Sequence, residues 1–469
     1  MSREQGFKSN DRFIYIGFLV LIAWMPLPLG SNRPWAWSIM EVWVYVLAVL
    51  WLLAFIFNKV KFTSAFLQAR PVIFLLCFWL LWVAFQMTPL PVGLVEFLSP
   101  QAAAIHAMAL GESSNWITLS VDPYATKVAW LKSLAFVLFF CLALLLIRRH
   151  RRVNQLAYVM IFSAVFQAVY GSLMTLSGLE YGFFIEKFSS LGAATGTFTN
   201  RNHLAGYLVM SLSVGIGLMI ASLDTNTNYT WKQHLRNILR LFLSAKLRLR
   251  LYLVIMVIAL VLTHSRMGNT AFFVSLMIAG IIGLILSRHA TRPTIILLTS
   301  LIIIDVMIVG TWFGFEKVVD RIEDTTLEKE TRDEVDIYVI VQWNDYRWTG
   351  SGLGSFYAVF PKYRKQDVSG YYDHAHNDYL EFGSETGVIG ITLLGLVVSW
   401  SLVFAIIAQY KRKDSLMRGI SFASIMGITA ILIHSIVDFN LQIPANAATF
   451  MILLALAWIS YSLKSRHHA

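Results

Sequence analysis

The sequence predicts an all-α polytopic membrane protein, and three observations carry that expectation. Of 469 residues 57% are hydrophobic and 14% charged, with a mean hydropathy of +0.63, more apolar surface than a soluble fold of this size can bury. The apolar residues gather into about twelve runs of roughly 20, the length that carries a helix across the hydrocarbon. They centre near residues 20, 47, 80, 138, 165, 212, 256, 278, 302, 398, 427 and 454. The third observation is that basic residues fall in alternate connections, as short cytoplasmic loops require.

Taken in order, the chain opens with Arg3, Lys8 and Arg12 ahead of a run that ends in Pro26, Pro28 and Gly30 without a small-residue cleavage site. This predicts a retained first helix and no signal peptide. The next inner connections hold Lys59, Lys61 and Arg70, then Arg148, Arg149, Arg151 and Arg152. Trp231 to Arg250 spaces Leu235, Ile238, Leu239 and Phe242 helically among basic residues and suits a helix lying on the inner surface. Arg288 and Arg292, then Lys411, Arg412, Lys413 and Arg418, and last Lys464 and Arg466 complete the inner set, 24 of the 38 basic residues. The other outer connections take only Arg33, Lys127, Lys132, Lys187, Arg201 and Arg266. Both termini are therefore expected in the cytoplasm. The organisation expected is nine helices in 1–312, one long, partly helical periplasmic loop in 313–386, and three helices with a cytoplasmic tail in 387–469.

The net charge of +11 needs no nucleic acid. The inner loops are basic, whereas 313–386 holds 8 Lys and Arg against 15 Asp and Glu, and anionic lipid at the inner leaflet is a sufficient partner. The two cysteines, Cys77 and Cys141, lie in separate apolar runs, so no disulfide framework is expected.

With this orientation the polar motifs share the outer face. Arg201 and Arg266 sit at helix ends in very short connections, where a guanidinium without a partner is costly and where two planar forks suit a phosphate or pyrophosphate. Snorkelling to headgroups is the bland alternative. Asp373 to Glu381 is the densest cluster of proton-handling side chains. His376 is the candidate base, since a neutral imidazole can take a proton from a sugar hydroxyl near neutral pH. His374-x-His376-x-Asp378 also imitates a metal site if it runs as a strand, while a helix starting at Tyr379-Leu380 would splay the three.

These residues carry a resemblance. His376-Asn377-Asp378-Tyr379-Leu380-Glu381 followed by Glu385-Thr386-Gly387-Val388-Ile389-Gly390 resembles the O-antigen ligase and Wzy polymerase superfamily. So, in order, do Thr199 to Tyr207, Ser265-Arg266, Gly350 to Phe356, and His434-Ser435 through Asp438-Phe439-Asn440 with Pro444, over roughly residues 120 to 460. The resemblance implies a glycan donor on undecaprenyl pyrophosphate at the periplasmic face of the bacterial inner membrane. It also implies an inverting transfer to a hydroxyl acceptor without metal or other cofactor. His376 then matches the catalytic histidine, and Arg201 and Arg266 match the donor pyrophosphate positions. Asn202, His203, Arg332, His374, Asn377, Asp378, Glu381, His434 and Asp438 stand as possible supporting residues, with Arg321 a further phosphate candidate. Met267-Gly268 stands where relatives often carry a glycine pair. A ligase that uses lipid A-core as acceptor is the first expectation, ahead of a polymerase that extends the glycan and a protein O-oligosaccharyltransferase. A lipid or sugar transporter is the alternative from another class, disfavoured because transporter halves commonly repeat and these halves are unequal.

Overall fold

The computed structural model describes residues 11–110, 114–182, 184–187, 189–223, 245–286, 326–368 and 370–463, with positions 296 and 300. The side chains of 110, 245 and 326–333 are not among those described. Twelve helices organise them: α1 (Arg12–Trp24), α2 (Pro34–Ile56), α3 (Arg70–Gln86), α4 (Pro123–Leu146), α5 (His150–Ser177) and α6 (Arg201–Ala221), then α7 (Ala245–Leu262), α8 (Arg266–Leu286), α9 (Thr326–Asp345), α10 (Asp378–Lys411), α11 (Ser415–His434) and α12 (Pro444–Ser462). Shorter helices and two two-residue strand pairs, Leu90–Pro91 with Trp116–Ile117 and Tyr181–Gly182 with Ile185–Glu186, fill the connections.

Eight described helices, α2, α4, α5, α6, α8, α10, α11 and α12, are long and apolar enough to cross a membrane, and α1 and α3 are shorter apolar helices. The run near 302 and the expected surface helix, up to residue 244, lie outside the described residues. One expectation needs correcting: Lys127 and Lys132 belong to no outer connection but to α4. The twelve apolar residues from Leu134 to Leu145 let α4 start early and carry both lysines within its first half.

Helix starts follow side-chain chemistry. Asp122, Asn200, Asn377 and Asp414 each accept a backbone N–H from the first turn of α4, α6, α10 and α11, and Pro34 and Pro444 occupy the first position of α2 and α12, where a missing N–H costs nothing.

At the centre stand α6, α11 and α12, the first and last almost wholly enclosed. Near the basic end α6 crosses α11 at Gly217 and Gly419, where a Cβ on either residue would run into the other's carbonyl. Ala221 and Ala423 lie one turn on, so the contact has the small-xxx-small pattern that lets helices touch backbone to backbone in lipid. At the opposite end a Cβ on Gly206 would run into Asn440, and Asn446 donates to the carbonyl of His203 at 2.9 Å. The basic connections 147–149 and 412–414 join at the far end through His150 and Asp414, 2.9 Å apart, and Asp11 is buried under Arg148 and Arg152.

Inside α10 the helix breaks. Gly387 has φ 68 and ψ −178, so residues 378–386 form a separate short helix ahead of the long apolar one. The carbonyls released at the break are all taken up: Ser384 by the N–H of Ser351, Glu385 by the N–H of Gly352 and by Gln86 Nε2, and Thr386 by Trp82 Nε1. The N–H of Val388 donates to the carbonyl of Arg347. The kink is thus fully hydrogen-bonded, as a break in an apolar setting must be. The Gly350 to Gly354 segment, one of the motifs picked out from the sequence, supplies half of the partners.

Candidate active site

The loop Asp373–Asn377 is built by three of its own neighbours. Asn377 Oδ1 caps α10 by accepting from Tyr379 N and Leu380 N at 3.1 and 3.2 Å. The Asp378 carboxylate accepts from Ser435 Oγ at 2.6 Å and Leu441 N at 3.1 Å, which ties this loop to the one after α11. Glu381, one turn further, reaches back to accept from Ala375 N at 2.8 Å and pairs with His374 Nδ1 at 2.6 Å. Asn377, Asp378 and Glu381 are therefore builders of the loop. His374 faces Glu381, Asp378 faces Ser435, and His376 faces elsewhere, so the three do not converge as a strand would have made them. Among the described residues no three His, Cys, Asp or Glu side chains gather as a metal ion needs.

His376 is the residue the loop presents. Its φ is +55, a left-handed conformation uncommon for a non-glycine residue. Its side chain is 21% exposed and its Nδ1 stands 3.8 Å from Asp438 Oδ1. His203, from the first turn of α6, brings Nε2 to 3.6 Å from the same oxygen. Both distances are ionic and slightly long for hydrogen bonds. Burial works against the charge on Asp438, but His203 and His376 outweigh it and hold the carboxyl well below its usual range. Asp438 is wholly buried, yet its Oδ2 lacks a hydrogen-bond partner, as do His376 Nδ1, His203 Nε2 and both ring nitrogens of His434. Buried polar atoms are nearly always paired, so this cluster around one carboxylate is unusual in its chemistry.

Phe439 was not anticipated as a site residue, and it organises the cluster. Its ring meets His376 edge to face at 4.7 Å, His203 edge to face at 4.6 Å, and His374 stacked at 4.5 Å. One apolar ring in a loop gives no sequence signal of this kind.

Arg201 and Arg266 occupy the first positions of α6 and α8. The two first turns touch, since a Cβ on Gly268 would run into Ala205, and the loop before α6 is fixed to α7 by Ala194 N donating to Leu262 O at 2.8 Å. Gln167 holds Thr197 of the same loop at 2.8 Å. Both arginines thus sit at helix N-termini on the bundle end that carries His203, where the helix dipole favours an anion. Asn202 contributes the N–H that Asn200 caps. The side chain of Arg332 and all of Arg321 lie outside the described residues.

His374 supplies a pH test. Burial disfavours its charge, but Glu381, and more weakly Asp373, raise its pKa to about 9. Because the folded value lies above the ordinary 6.5, the pair with Glu381 stabilises fully below about pH 6.5 and is lost as pH rises through about 9. In detergent, the melting temperature of the wild type should fall across that window. His374→Phe, which keeps the ring on Phe439 but not the pair, should melt lower at neutral pH and show a flatter profile. Parallel profiles would remove the pair from the loop's stability.

Residues 251–395, from α7 through the loop and past the kink, match a family model described as O-antigen ligase. No curated protein matches the chain.

Proposed function

We propose, from the match of residues 251–395 to a family model described as O-antigen ligase, that this membrane protein is a glycosyltransferase that moves a glycan from undecaprenyl pyrophosphate to a hydroxyl acceptor. The acceptor is lipid A-core on the first reading. Ligase- or polymerase-type chemistry follows from the family, and the finer assignment rests on the site. The observation that carries it is His376 held beside the buried Asp438 carboxylate, at the bundle end where α6 and α8 present Arg201 and Arg266.

In this reading Asp438 keeps the proton of His376 on Nδ1, leaving Nε2 as the base. The acceptor O–H gives its proton to Nε2 while its oxygen bonds to the anomeric carbon, and the bond from that carbon to the pyrophosphate oxygen breaks. A single displacement inverts the configuration. The electron pair leaves with undecaprenyl pyrophosphate, whose growing charge is met by the two guanidiniums and the helix N-termini. No metal or other cofactor takes part. The basic connections 147–149 and 412–414 at the opposite end support a cytoplasmic face there and a periplasmic site in a bacterial inner membrane. A polymerase, which differs only in the acceptor, is the second reading.

The test is transfer by the purified protein from a lipid-linked donor, with lipid A-core and with a second glycan as alternative acceptors. Transfer to neither would overturn the proposal. Arg201→Lys and Arg266→Lys keep the charge but lose the bidentate fork. Each should weaken donor use by about 10-fold or more, the scale of one lost charge-assisted hydrogen bond, with less effect on the acceptor KM. Wild-type turnover in both would reduce the arginines to headgroup anchors.

A further inference from the structure

A cavity of about 700 Å³ lies between α2, α3, α4, α10 and α12, within the roughly 300–1,000 Å³ of ligand cavities. One end reaches Asp373, His374 and Glu381, and the other is an apolar floor at Leu402, Phe450 and Leu454. None of Arg201, Arg266, His203, His376 and Asp438 lines it. The exposed Gly395 and Ser399 of α10 form part of its rim, so it opens sideways towards lipid.

Lys132 is its one lining Lys or Arg, and the other cationic group on the lining, His374, is already paired with Glu381. The ammonium sits 4.1 Å over the ring of Trp37, while Glu41 and Glu385 act on it only at a distance. Two further lining residues, Trp79 and Gln442, bury side-chain N–H donors, Nε1 and Nε2, without partners. Three of the four lining acids accept hydrogen bonds, Glu381 from Ala375 and His374, Asp378 through Oδ2 from Ser435 and Leu441, and Glu385 from Phe356 N at 2.9 Å, while Asp373 lies at the loop end of the cavity. An ionisable group at membrane depth marks function by default. A cation and two unpaired donors over an apolar floor are complementary to an amphiphile with a single anionic head.

We propose that this cavity binds an anionic membrane phospholipid, its acyl chain on the apolar floor and its phosphate at Lys132, separate from the glycan donor. One cation suits the single charge of such a headgroup, whereas a pyrophosphate is better met by the two arginines on the other helices. Occupancy would reach His374 and Glu381 from the lipid side and so bear on the loop that presents His376.

Native mass spectrometry of delipidated full-length protein tests this. Dioleoylphosphatidylglycerol should bind at one tight site, about 10-fold or more in preference to dioleoylphosphatidylcholine, as a charge-assisted contact implies. Lys132→Met should erase the preference, Lys132→Arg should keep it, and Gly395→Trp, which fills the rim, should remove the tight site. An unchanged preference in Lys132→Met would overturn the proposal. So would competition in which undecaprenyl pyrophosphate displaces the phospholipid and itself requires Lys132, since the cavity would then belong to the donor. The readout is binding, so it stands or fails independently of glycan transfer.

Discussion

His376→Ala should insert, purify and bind lipid-linked donor while transfer falls by roughly 100-fold or more, the usual loss for a removed acid or base. Folding should survive because the loop is fastened by Asn377, Asp378 and Glu381 and His376 is the side chain left without a hydrogen bond at Nδ1. Histidine already carries a Cβ at φ +55, so alanine adds no clash there and loses only the tolerance that polar side chains show for the left-handed region. His376→Asn is therefore the companion variant, since asparagine tolerates that conformation and also lacks a base. Both should be equally inactive and about equally stable to heat as wild type. Transfer rates within a few-fold of wild type would move the proton chemistry elsewhere in the cluster, with His203 the next residue to test. Chelator should leave the wild-type rate unchanged, and a rate lost with chelator and restored by one divalent ion would bring back the His-x-His-x-Asp metal reading.

Gly387→Ala should be a severely damaging single methyl. Its φ 68 and ψ −178 fall in a region that is essentially glycine-only and costs about 1–3 kcal/mol for other residues. In addition, a Cβ there would run into the Trp348 carbonyl, a backbone atom that cannot swing away. Moving Trp348 disturbs the neighbouring Ser351 and Gly352, whose N–H groups satisfy the broken turn. The expected outcome is severely reduced yield of folded protein, or a folded remnant with no transfer and with faster proteolysis between 345 and 378. Gly395→Ala, in open space on the same helix, is the control. A Gly387→Ala protein with wild-type melting and activity would mean that the two parts of α10 can straighten without consequence.

Much of this was legible in the sequence because lipid imposes a simple rule. About 20 apolar residues in a row must be helical, and eight such helices follow the expected runs. Charge counting read Lys132 as loop because Lys and Arg carry no information on depth when a long stem can snorkel. The long apolar helix was expected to begin at 387, but the short helix 378–386 ahead of it was not, since its polar residues read as loop. At the site, the sequence singled out Arg201, His203, Arg266, His376, His434 and Asp438 by chemistry and motif. It did not separate presenters from builders. Asn377, Asp378 and Glu381 read only as possible supporting residues, and three-dimensional pairing reveals that backbone N–H groups, a histidine and a serine engage them. Phe439 escaped because an apolar ring has no chemistry of its own to betray it, only geometry.

The close crossing of α6 and α11 has a mechanical consequence. Gly217 and Gly419 lock the two helices at the basic end, and Asn440, Asn446 and His203 lock them through α12 at the other. Together they form a post pinned at both ends, and on its outer tip stand His203, His434 and Asp438. A carrier that exposes one site to each side in turn needs two bodies that rock about a seam, and a doubly pinned post offers no seam through its middle. In the proposed function, traffic then goes round the post, and reactants enter and leave from the flank and from the end that carries His203, His434 and Asp438.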